Sequence, residues 1–306
     1  MRKTPASTLR RYLLLLRPFT LLAPLIVSIS VMAASYIYAS AHSLPILSLL
    51  GAMVPASLSL ALLNGASNAL NQASDYKEDC LSKPYRPLPK KLITLREAYT
   101  VSLLLYILSI GCAFLVHSLF AGFIFIIALF TITYSLPPRM KRYLAVNQLW
   151  VALPRGLFGI LASWSVFADP FQSLPLAIGG IASVFLFGGT ATKDVLDASA
   201  DRSVGTSTLC NVLGVRKTAV LSAVIMVASF AAVIPLIALG ILPQAFLILA
   251  GLMLCGVLIA VLLVRDSRNR SCENTNAWLA MYLTYFLFMV GFACITIVSS
   301  FAIPAG

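Results

Sequence analysis

Long apolar runs, separated by short polar segments, constrain this chain more than any other feature. A transmembrane helix needs about 20 mainly apolar residues, and runs of that kind recur along the whole sequence. Mean hydropathy is +0.94 and only 10% of residues are charged, which fits a polytopic membrane protein and not a soluble domain. We therefore predict an all-α protein, a single domain over residues 1–306, whose nine transmembrane helices lie at 19–39, 46–73, 94–116, 119–135, 144–167, 173–199, 217–238, 244–264 and 277–300.

Basic residues indicate how these spans are oriented. Of the 22 Lys and Arg, all but Arg155 and Lys193 lie in the N-terminal segment or in the second, fourth, sixth and eighth loops. The other loops and the C-terminal segment contain none. The positive-inside rule then predicts an integral protein of the cell membrane with a cytoplasmic N-terminus and an external C-terminus. The net charge of +12 is explained by topology, so we expect no nucleic-acid partner and no obligatory protein partner.

Acidic residues are rare, and they are grouped. The chain has ten Asp and Glu, and six of them fall in two short stretches, Asp75–Asp79 and Asp194–Asp201. Asn71, Asp75 and Asp79 are spaced i, i+4, i+8, so one helix face would carry all three, and Asn64 and Asn68 extend that stripe into the membrane. An unpaired carboxylate in apolar surroundings costs several kcal/mol. This cluster therefore needs a partner.

The second cluster has the same design as the first. Asp194, Asp197 and Asp201 are spaced i, i+3, i+7, again on one helix face. Each cluster ends a span on the predicted cytoplasmic side and is followed by a basic loop. Since the spans that carry them are four apart, we predict an internal pseudo-repeat of spans 1–4 and 5–8, plus a ninth span. The two clusters would face each other across a central polar cavity that opens near the cytoplasmic side.

The chemistry of these clusters points to magnesium and diphosphate. Carboxylate and amide oxygens suit a hard cation such as Mg²⁺, whereas the two histidines lie far from the acids and the six cysteines form no C-x2-C pair. Two ions could hold a diphosphate between the clusters and stabilise it as a leaving group. The cationic side chains near the clusters could take the remaining phosphate charge; they are Lys83, Arg86, Arg142 and Lys193.

Two cations lie within predicted spans, and each is a candidate site residue by default. Lys193 adjoins the second acid cluster, where it could contact phosphate or bridge Asp197 one helical turn away. Arg155 follows Pro154 in the fifth span. We keep open whether it binds the acceptor or phosphate, or has a structural hydrogen-bonding role.

The residues of both clusters resemble motifs of the UbiA superfamily of intramembrane prenyltransferases. Asn71-Gln-Ala-Ser-Asp75-Tyr-Lys-Glu-Asp79 is similar to that family's N-x3-D-x3-D motif, and the stretch from Lys193 to Asp201 is similar to its second aspartate motif. Lys83-Pro-Tyr-Arg-Pro-Leu-Pro89 resembles its basic, proline-containing loop. Arg17-Pro18 and Tyr134-Ser-Leu-Pro-Pro138 also resemble family features. Most of the chain is covered.

The resemblance implies Mg²⁺-dependent transfer of a prenyl group from a polyprenyl diphosphate to a small acceptor. Asn71, Asp75 and Asp79 would hold one metal ion, and Asp197 and Asp201 the other. Lys193 and Arg86 would contact diphosphate. With Lys193 and the four aspartates as catalytic candidates, the candidate substrate-binding residues are Arg17, Asn68, Lys83, Arg86, Tyr134, Arg142, Arg155 and Asp194.

Several alternatives compete with this interpretation. Each acid cluster could simply be a helix end whose carboxylates pair with basic loop residues. The favoured acceptor is aromatic, such as 4-hydroxybenzoate, with a glycerol phosphate lipid precursor as the alternative. An ion-coupled secondary transporter is a second alternative, although its acids would be expected near the bilayer midplane. Thr94-x-x-Glu97 has the pattern of a capping box that opens the third span, so Glu97 is excluded as a site residue.

Overall fold

The computed structural model describes residues 5–39, 44–195, 207–266 and 275–302. Within these ranges all regular secondary structure is helical. A π turn spans Pro154–Phe158, and 3₁₀ segments span Met140–Arg142 and Gln244–Leu252. The α-helices are α1 Pro5–Leu16, α2 Pro18–Tyr38, α3 Ile46–Ser74, α4 Tyr76–Ser82, α5 Leu95–Phe114, α6 Ser118–Ser135, α7 Val146–Leu153, α8 Gly159–Trp164, α9 Ser173–Gly189, α10 Leu209–Leu213, α11 Val215–Ala231, α12 Val233–Ala238, α13 Met253–Asp266 and α14 Asn276–Ala302.

Eight helical segments among the described residues are long and apolar enough to cross a membrane. They correspond to eight of the nine predicted spans, with ends within a few residues of those predicted wherever the ends are described. The predicted fifth span, 144–167, is instead divided into α7, the π turn and α8. Pro154 has no backbone N–H to donate, so the regular helix ends there and continues through a wider turn. A count of nine transmembrane helices stays a prediction.

Apolar side chains between the helices form two main clusters. One surrounds Phe120 and Ile124, between α3, α5 and α6. The other surrounds Phe185, Phe230 and Phe288, between α9, α11 and α14. Since α2 and α8 contribute side chains to both clusters, they join the two groups of helices into one packed body.

Serine hydroxyls hold α3 and α5 close together. Ser59 donates to the backbone oxygen of Ser109 at 2.8 Å, and Ser109 donates to the backbone oxygen of Ser59 at 2.8 Å. Small polar residues allow close helix approach where the hydrophobic effect between helices is absent, as in a bilayer. This packing fixes the direction of α3, which carries the first acid cluster.

The predicted capping box at the start of α5 is confirmed. The Thr94 hydroxyl accepts from the Glu97 N–H at 3.2 Å, and the Glu97 carboxylate accepts from the Thr94 N–H at 2.6 Å. Glu97 is thereby engaged in capping the N-terminus of α5. It is not among the residues that line the main cavity.

Candidate active site

A polar cavity of about 200 Å³ lies where α3, α4, the 139–142 segment and residues 190–194 meet. It brings together most of the described residues that the sequence singled out. Arg142 is exposed and does not line it, and Asp197 and Asp201 lie outside the described residues. The predicted site residues that line the cavity are Arg17, Asn68, Asn71, Asp75, Asp79, Lys83, Arg86, Tyr134, Arg155, Lys193 and Asp194.

The first acid cluster lies across a break between two helices. α3 ends at Ser74, and α4 begins at Tyr76, with Asp75 between them at φ −99° and ψ 15°. The Asp75 N–H still donates to the Asn71 oxygen at 3.0 Å, and the Asp79 N–H to the Asp75 oxygen at 2.7 Å. This near-helical continuity keeps Asn71, Asp75 and Asp79 on one side, as the i, i+4, i+8 spacing predicts, and all three line the cavity.

Asp79 is paired with Arg86 in a buried ion pair. Arg86 Nη1 donates to the two carboxylate oxygens at 3.0 and 2.8 Å. Burial raises the pKa of the Asp79 carboxyl, and the positive charges of Arg86 and Lys83 oppose that shift. The Lys83–Pro89 stretch therefore folds back over α4 and supplies the counter-charge for the acid cluster. Arg86 is a predicted site residue, and the Pro87 that follows it fixes the local turn.

Asp75 is held by two cations that we did not single out from the sequence. Arg139 Nη2 lies 3.0 Å from Asp75 Oδ1 and 3.3 Å from Glu78 Oε1. Lys141 Nζ also contacts Asp75 Oδ1 and lies 3.4 Å from Asn71 Oδ1. Burial lowers the pKa of the Lys141 amine, and the negative charge of Asp75 opposes that shift.

These contacts bear directly on the predicted metal site. In the part of the chain that the structure describes, no three His, Cys, Asp or Glu side chains form a metal-binding group. The Asp75 and Asp79 carboxylates pair with basic loop residues, which is the alternative considered for a helix-end cluster. The donor set nevertheless fits magnesium, because Asn71, Asp75 and Asp79 offer only oxygen atoms and line one cavity.

Residues 190–194, which follow α9, also contribute side chains to the cavity lining. Lys193 Nζ donates to Tyr134 Oη at 2.7 Å and lies 5.1 Å from the centre of the Tyr134 ring. The Gln148 amide donates to Asp194 at 3.3 Å. The bridge considered between Lys193 and Asp197 lies outside the described residues. Among the described residues, Lys193 Nζ contacts Tyr134 of α6.

Asn68 holds the segment that contains Arg17, at the break between α1 and α2. The Asn68 amide donates to the Leu16 oxygen at 2.9 Å and to Thr20 Oγ1 at 2.8 Å. These bonds span the break between α1 and α2, where Arg17 adopts φ 54°. A left-handed conformation is costly for a residue with a side chain, and functional sites are where such conformations cluster. Asn68 thus positions the segment that brings Arg17 to the cavity.

Arg155 lies where the polar cavity meets a second, apolar pocket of about 90 Å³. Its side chain donates to Tyr282 Oη at 3.2 Å and to Asn64 Oδ1 at 3.5 Å. The Tyr285 hydroxyl donates to the Arg155 backbone oxygen at 2.8 Å. The apolar pocket contains Leu60, Leu63 and Ile127 and leads away from the acid clusters.

Several residues that line the cavity were not predicted from the sequence. Arg139 and Lys141 could have been expected at the site because they belong to the basic loop after α6, in which Arg142 is the predicted site residue. Nothing in the sequence distinguishes Trp278 and Tyr282 as site residues, because aromatic residues in an apolar span are usually packing residues. Their rings lie 4.4 Å apart on α14 and form one wall of the cavity.

A family model and a solved structure both match the chain over most of its length. The model of the UbiA prenyltransferase family matches residues 27–284. The structure of a UbiA homolog from Archaeoglobus fulgidus, bound to GPP and Mg²⁺, superposes with a TM-score of 0.69 at 20% identity, covering 94% of this chain and 99% of that one. The fold is therefore the one seen in that homolog.

Two curated relatives are similar in sequence. The chain is 30% identical over 251 residues to homogentisate solanesyltransferase of Arabidopsis thaliana, covering 76% of this chain and 64% of that protein. It is 24% identical over 249 residues to digeranylgeranylglyceryl phosphate synthase of Methanobrevibacter smithii, covering 80% of this chain and 88% of that protein. The chain spans between half and two thirds of the plant relatives that it matches.

Proposed function

The chain belongs to the UbiA prenyltransferase family, and from this premise we propose that its polar cavity transfers a prenyl group from an allylic diphosphate to a small acceptor. The charge of the cavity is the observation that carries the proposal. Among its described lining residues, seven are Lys or Arg and four are Asp or Glu. The excess of positive charge suits a ligand with several negative charges, such as a diphosphate. Membership of a prenyltransferase family favours this activity over ion-coupled transport.

The acid clusters would hold magnesium beside the diphosphate. We assign Asn71, Asp75 and Asp79 to one ion, with Asp197 and Asp201 assigned to a second. Bound there, Mg²⁺ would neutralise negative charge on the departing diphosphate. The solved structure of the Archaeoglobus homolog with GPP and Mg²⁺ supports the pairing of metal and diphosphate.

The protein's own cations would contact the diphosphate directly. Lys193 is oriented by Tyr134, and Lys141 Nζ lies 6.0 Å from the centre of the same ring. When the prenyl C1–O bond breaks, its electron pair leaves with the diphosphate, so the negative charge on the diphosphate oxygens near these ammonium groups increases. Cations already in place stabilise that change without reorganisation.

The apolar pocket suits the prenyl chain. It adjoins the polar cavity at Thr20, Thr131 and Arg155, so a diphosphate on one side leaves the tail on the other. Tyr282 lines both the pocket and the cavity, and Trp278 lies next to Tyr282 in the polar cavity, so these rings would stabilise the allylic cation through their quadrupoles. An acceptor carbon or oxygen then forms the new bond to C1 and loses its proton.

An aromatic acceptor is our first candidate. The similarity to a homogentisate solanesyltransferase supports it, as does the aromatic wall of Trp278 and Tyr282. A glycerol phosphate lipid precursor is the second candidate, supported by the similarity to digeranylgeranylglyceryl phosphate synthases over most of their length. Both acceptors would use the same diphosphate chemistry.

The positive-inside pattern supports a cytoplasmic location for the cavity mouth and the N-terminus. The Lys83–Pro89 stretch and the 139–142 segment, which contact the first acid cluster, both belong to loops assigned to that side. We therefore propose that both substrates reach the site from the cytoplasmic face or from the adjoining leaflet.

The experiment is transfer of a radiolabelled prenyl group from geranylgeranyl diphosphate to a panel of aromatic and glycerol phosphate acceptors, with Mg²⁺. Asp75→Asn should lower kcat by at least about 100-fold, because the carboxylate that serves the metal is lost. Asp169→Asn is the matched control, since Asp169 only accepts a hydrogen bond from the Phe171 N–H in a turn. Equal transfer by wild type and Asp75→Asn would contradict the proposal.

A further inference from the structure

Arg155 has an unusual environment for a cation within a helical bundle. Its side chain is exposed to both the polar cavity and the apolar pocket, at the boundary between them. Its described side-chain partners, Tyr282 and Asn64, are neutral, and it forms no ion pair with any carboxylate in the described ranges. A cation in such a setting normally has an anionic partner or a functional role.

The backbone around Arg155 is built to hold the side chain in that place. Leu157 N–H donates to Ser183 Oγ at 2.8 Å, so the π turn is tied to α9. Tyr285 of α14 donates to the Arg155 oxygen at 2.8 Å. Contacts from two other helices therefore fix the turn, and π turns are frequently found at functional sites.

An aromatic surface extends into the polar cavity from Tyr282, which is a hydrogen-bond partner of Arg155. Trp278 and Tyr282 both line that cavity, and their ring centres lie 4.4 Å apart. Tyr282 itself accepts a hydrogen bond from Arg155. A flat ring that carries an anionic group would find a stacking surface and a charge partner in one place.

We propose that Arg155 binds the anionic group of the acceptor and so orients the acceptor against the prenyl C1 atom. The acceptor class is an aromatic carboxylate, and the same guanidinium chemistry would serve the phosphate of a glyceryl ether. The inference rests on the proposed prenyl transfer. It adds that the acid clusters and Lys193 serve the diphosphate, whereas Arg155 serves the acceptor alone.

The test is equilibrium binding to the purified full chain without prenyl diphosphate. The probes are 4-hydroxyphenylacetate and its neutral carboxamide, together with a short-chain glyceryl ether phosphate and its dephosphorylated alcohol. Wild type should bind one of the two anions at least about tenfold more tightly than its neutral counterpart. The pair that shows the preference identifies the source of the anion.

Arg155→Gln should reduce that preference to about onefold, and Arg155→Lys should retain part of it, because the charge stays but the planar fork is lost. Arg216→Gln, at an exposed position outside the cavity, is the matched control and should bind as wild type does. In turnover, Arg155→Gln should raise KM for the acceptor about tenfold or more and leave KM for the prenyl diphosphate unchanged.

Three results would overturn the inference. Wild type could bind an anion and its neutral counterpart equally, or bind none of the probes. Arg155→Gln could keep the full preference. A rise in KM for the prenyl diphosphate instead of the acceptor would assign Arg155 to the diphosphate. Acceptor binding is measured without a prenyl donor, so a negative binding result would not contradict the proposed prenyl transfer, which the Asp75→Asn experiment tests. Conversely, a negative result with Asp75→Asn would not contradict acceptor binding by Arg155.

Discussion

Arg86 donates hydrogen bonds from one guanidinium nitrogen to both carboxylate oxygens of Asp79, at 3.0 and 2.8 Å, and both side chains are buried. The Arg86 guanidinium would compete with a metal ion for the oxygens of the Asp79 carboxylate. The cation therefore stabilises the acid cluster when no metal is present. Metal binding would release Arg86 toward the bound diphosphate.

Arg86→Met should make the folding of the protein depend on magnesium. Removing one partner of a buried ion pair costs about 3–5 kcal/mol, because the other charge is left buried and unpaired. Mg²⁺ bound to Asp79 would restore part of that loss, so millimolar Mg²⁺ should raise the unfolding temperature of Arg86→Met more than that of wild type. Lys90→Met removes an exposed cation of the same loop and should respond as wild type does. Equal Mg²⁺ shifts in all three proteins would contradict a metal at Asp79.

Thr94→Ala should lower stability without changing catalysis. The substitution removes the hydroxyl that accepts from the Glu97 N–H at the start of α5, which costs about 1 kcal/mol. The prenyl-transfer rate at a temperature well below unfolding should stay within error of wild type, since the capping box does not line the cavity. Thr100→Ala, at an exposed position of the same helix, should change stability by less than about 0.5 kcal/mol. A large loss of prenyl transfer by folded Thr94→Ala would show that the capping box contributes to catalysis as well as to stability.

The positions of eight long apolar helices could be predicted from the sequence to within a few residues. A helix that crosses a bilayer needs a long apolar run, and such a run can be read from a short stretch of sequence without knowledge of the fold. The apolar run of the fifth span did not indicate the π turn at Pro154–Phe158, which divides that span. The run of apolar residues there is as long as its neighbours. Hydropathy does not record whether the backbone hydrogen bonds continue across a proline.

Only some of the cavity-lining residues could be predicted from the sequence. The helical spacing of Asn71, Asp75 and Asp79 was enough to place these three residues together. The sequence predicts a site residue in the basic loop after α6, but at Arg142, whereas Arg139 and Lys141 are the cations of that loop that line the cavity. In a turn that begins with Arg139 at φ 55° and continues as 3₁₀ helix, neighbouring side chains point in different directions, and the backbone decides which one faces the acids.

Gly156→Ala should disturb the site through the backbone. A Cβ at position 156 would lie 2.5 Å from Ser183 Oγ and 2.7 Å from the Ser183 Cα and N atoms, so the π turn and α9 would have to separate. Overpacking of this kind costs about 1–3 kcal/mol. Thermal unfolding should show the loss, and KM for the acceptor should rise because Arg155 is the adjacent residue.

Gly180→Ala on α9 is the matched control, because a Cβ there meets nothing within 4 Å. Alanine is favoured over glycine inside a helix by about 1 kcal/mol, so this variant should be as stable as wild type or more stable. If both glycine variants unfold at the same temperature as wild type, the close contact with Ser183 is not a constraint on the fold.

Tyr134 and Lys193 should act on the diphosphate as one unit. Lys193 Nζ is held by Tyr134 Oη at 2.7 Å and by the ring face at 5.1 Å, so Tyr134→Phe removes the hydrogen bond but keeps the ring. We expect kcat/KM for the prenyl diphosphate to fall about tenfold in Tyr134→Phe, the value of one hydrogen bond to a charged group, and about 100-fold in Lys193→Met. The double variant should be no worse than Lys193→Met alone, because the tyrosine acts through the lysine. Tyr143→Phe, at an exposed position outside the cavity, should leave kcat/KM unchanged. Losses that multiply in the double variant would show that Tyr134 contacts the substrate independently of Lys193.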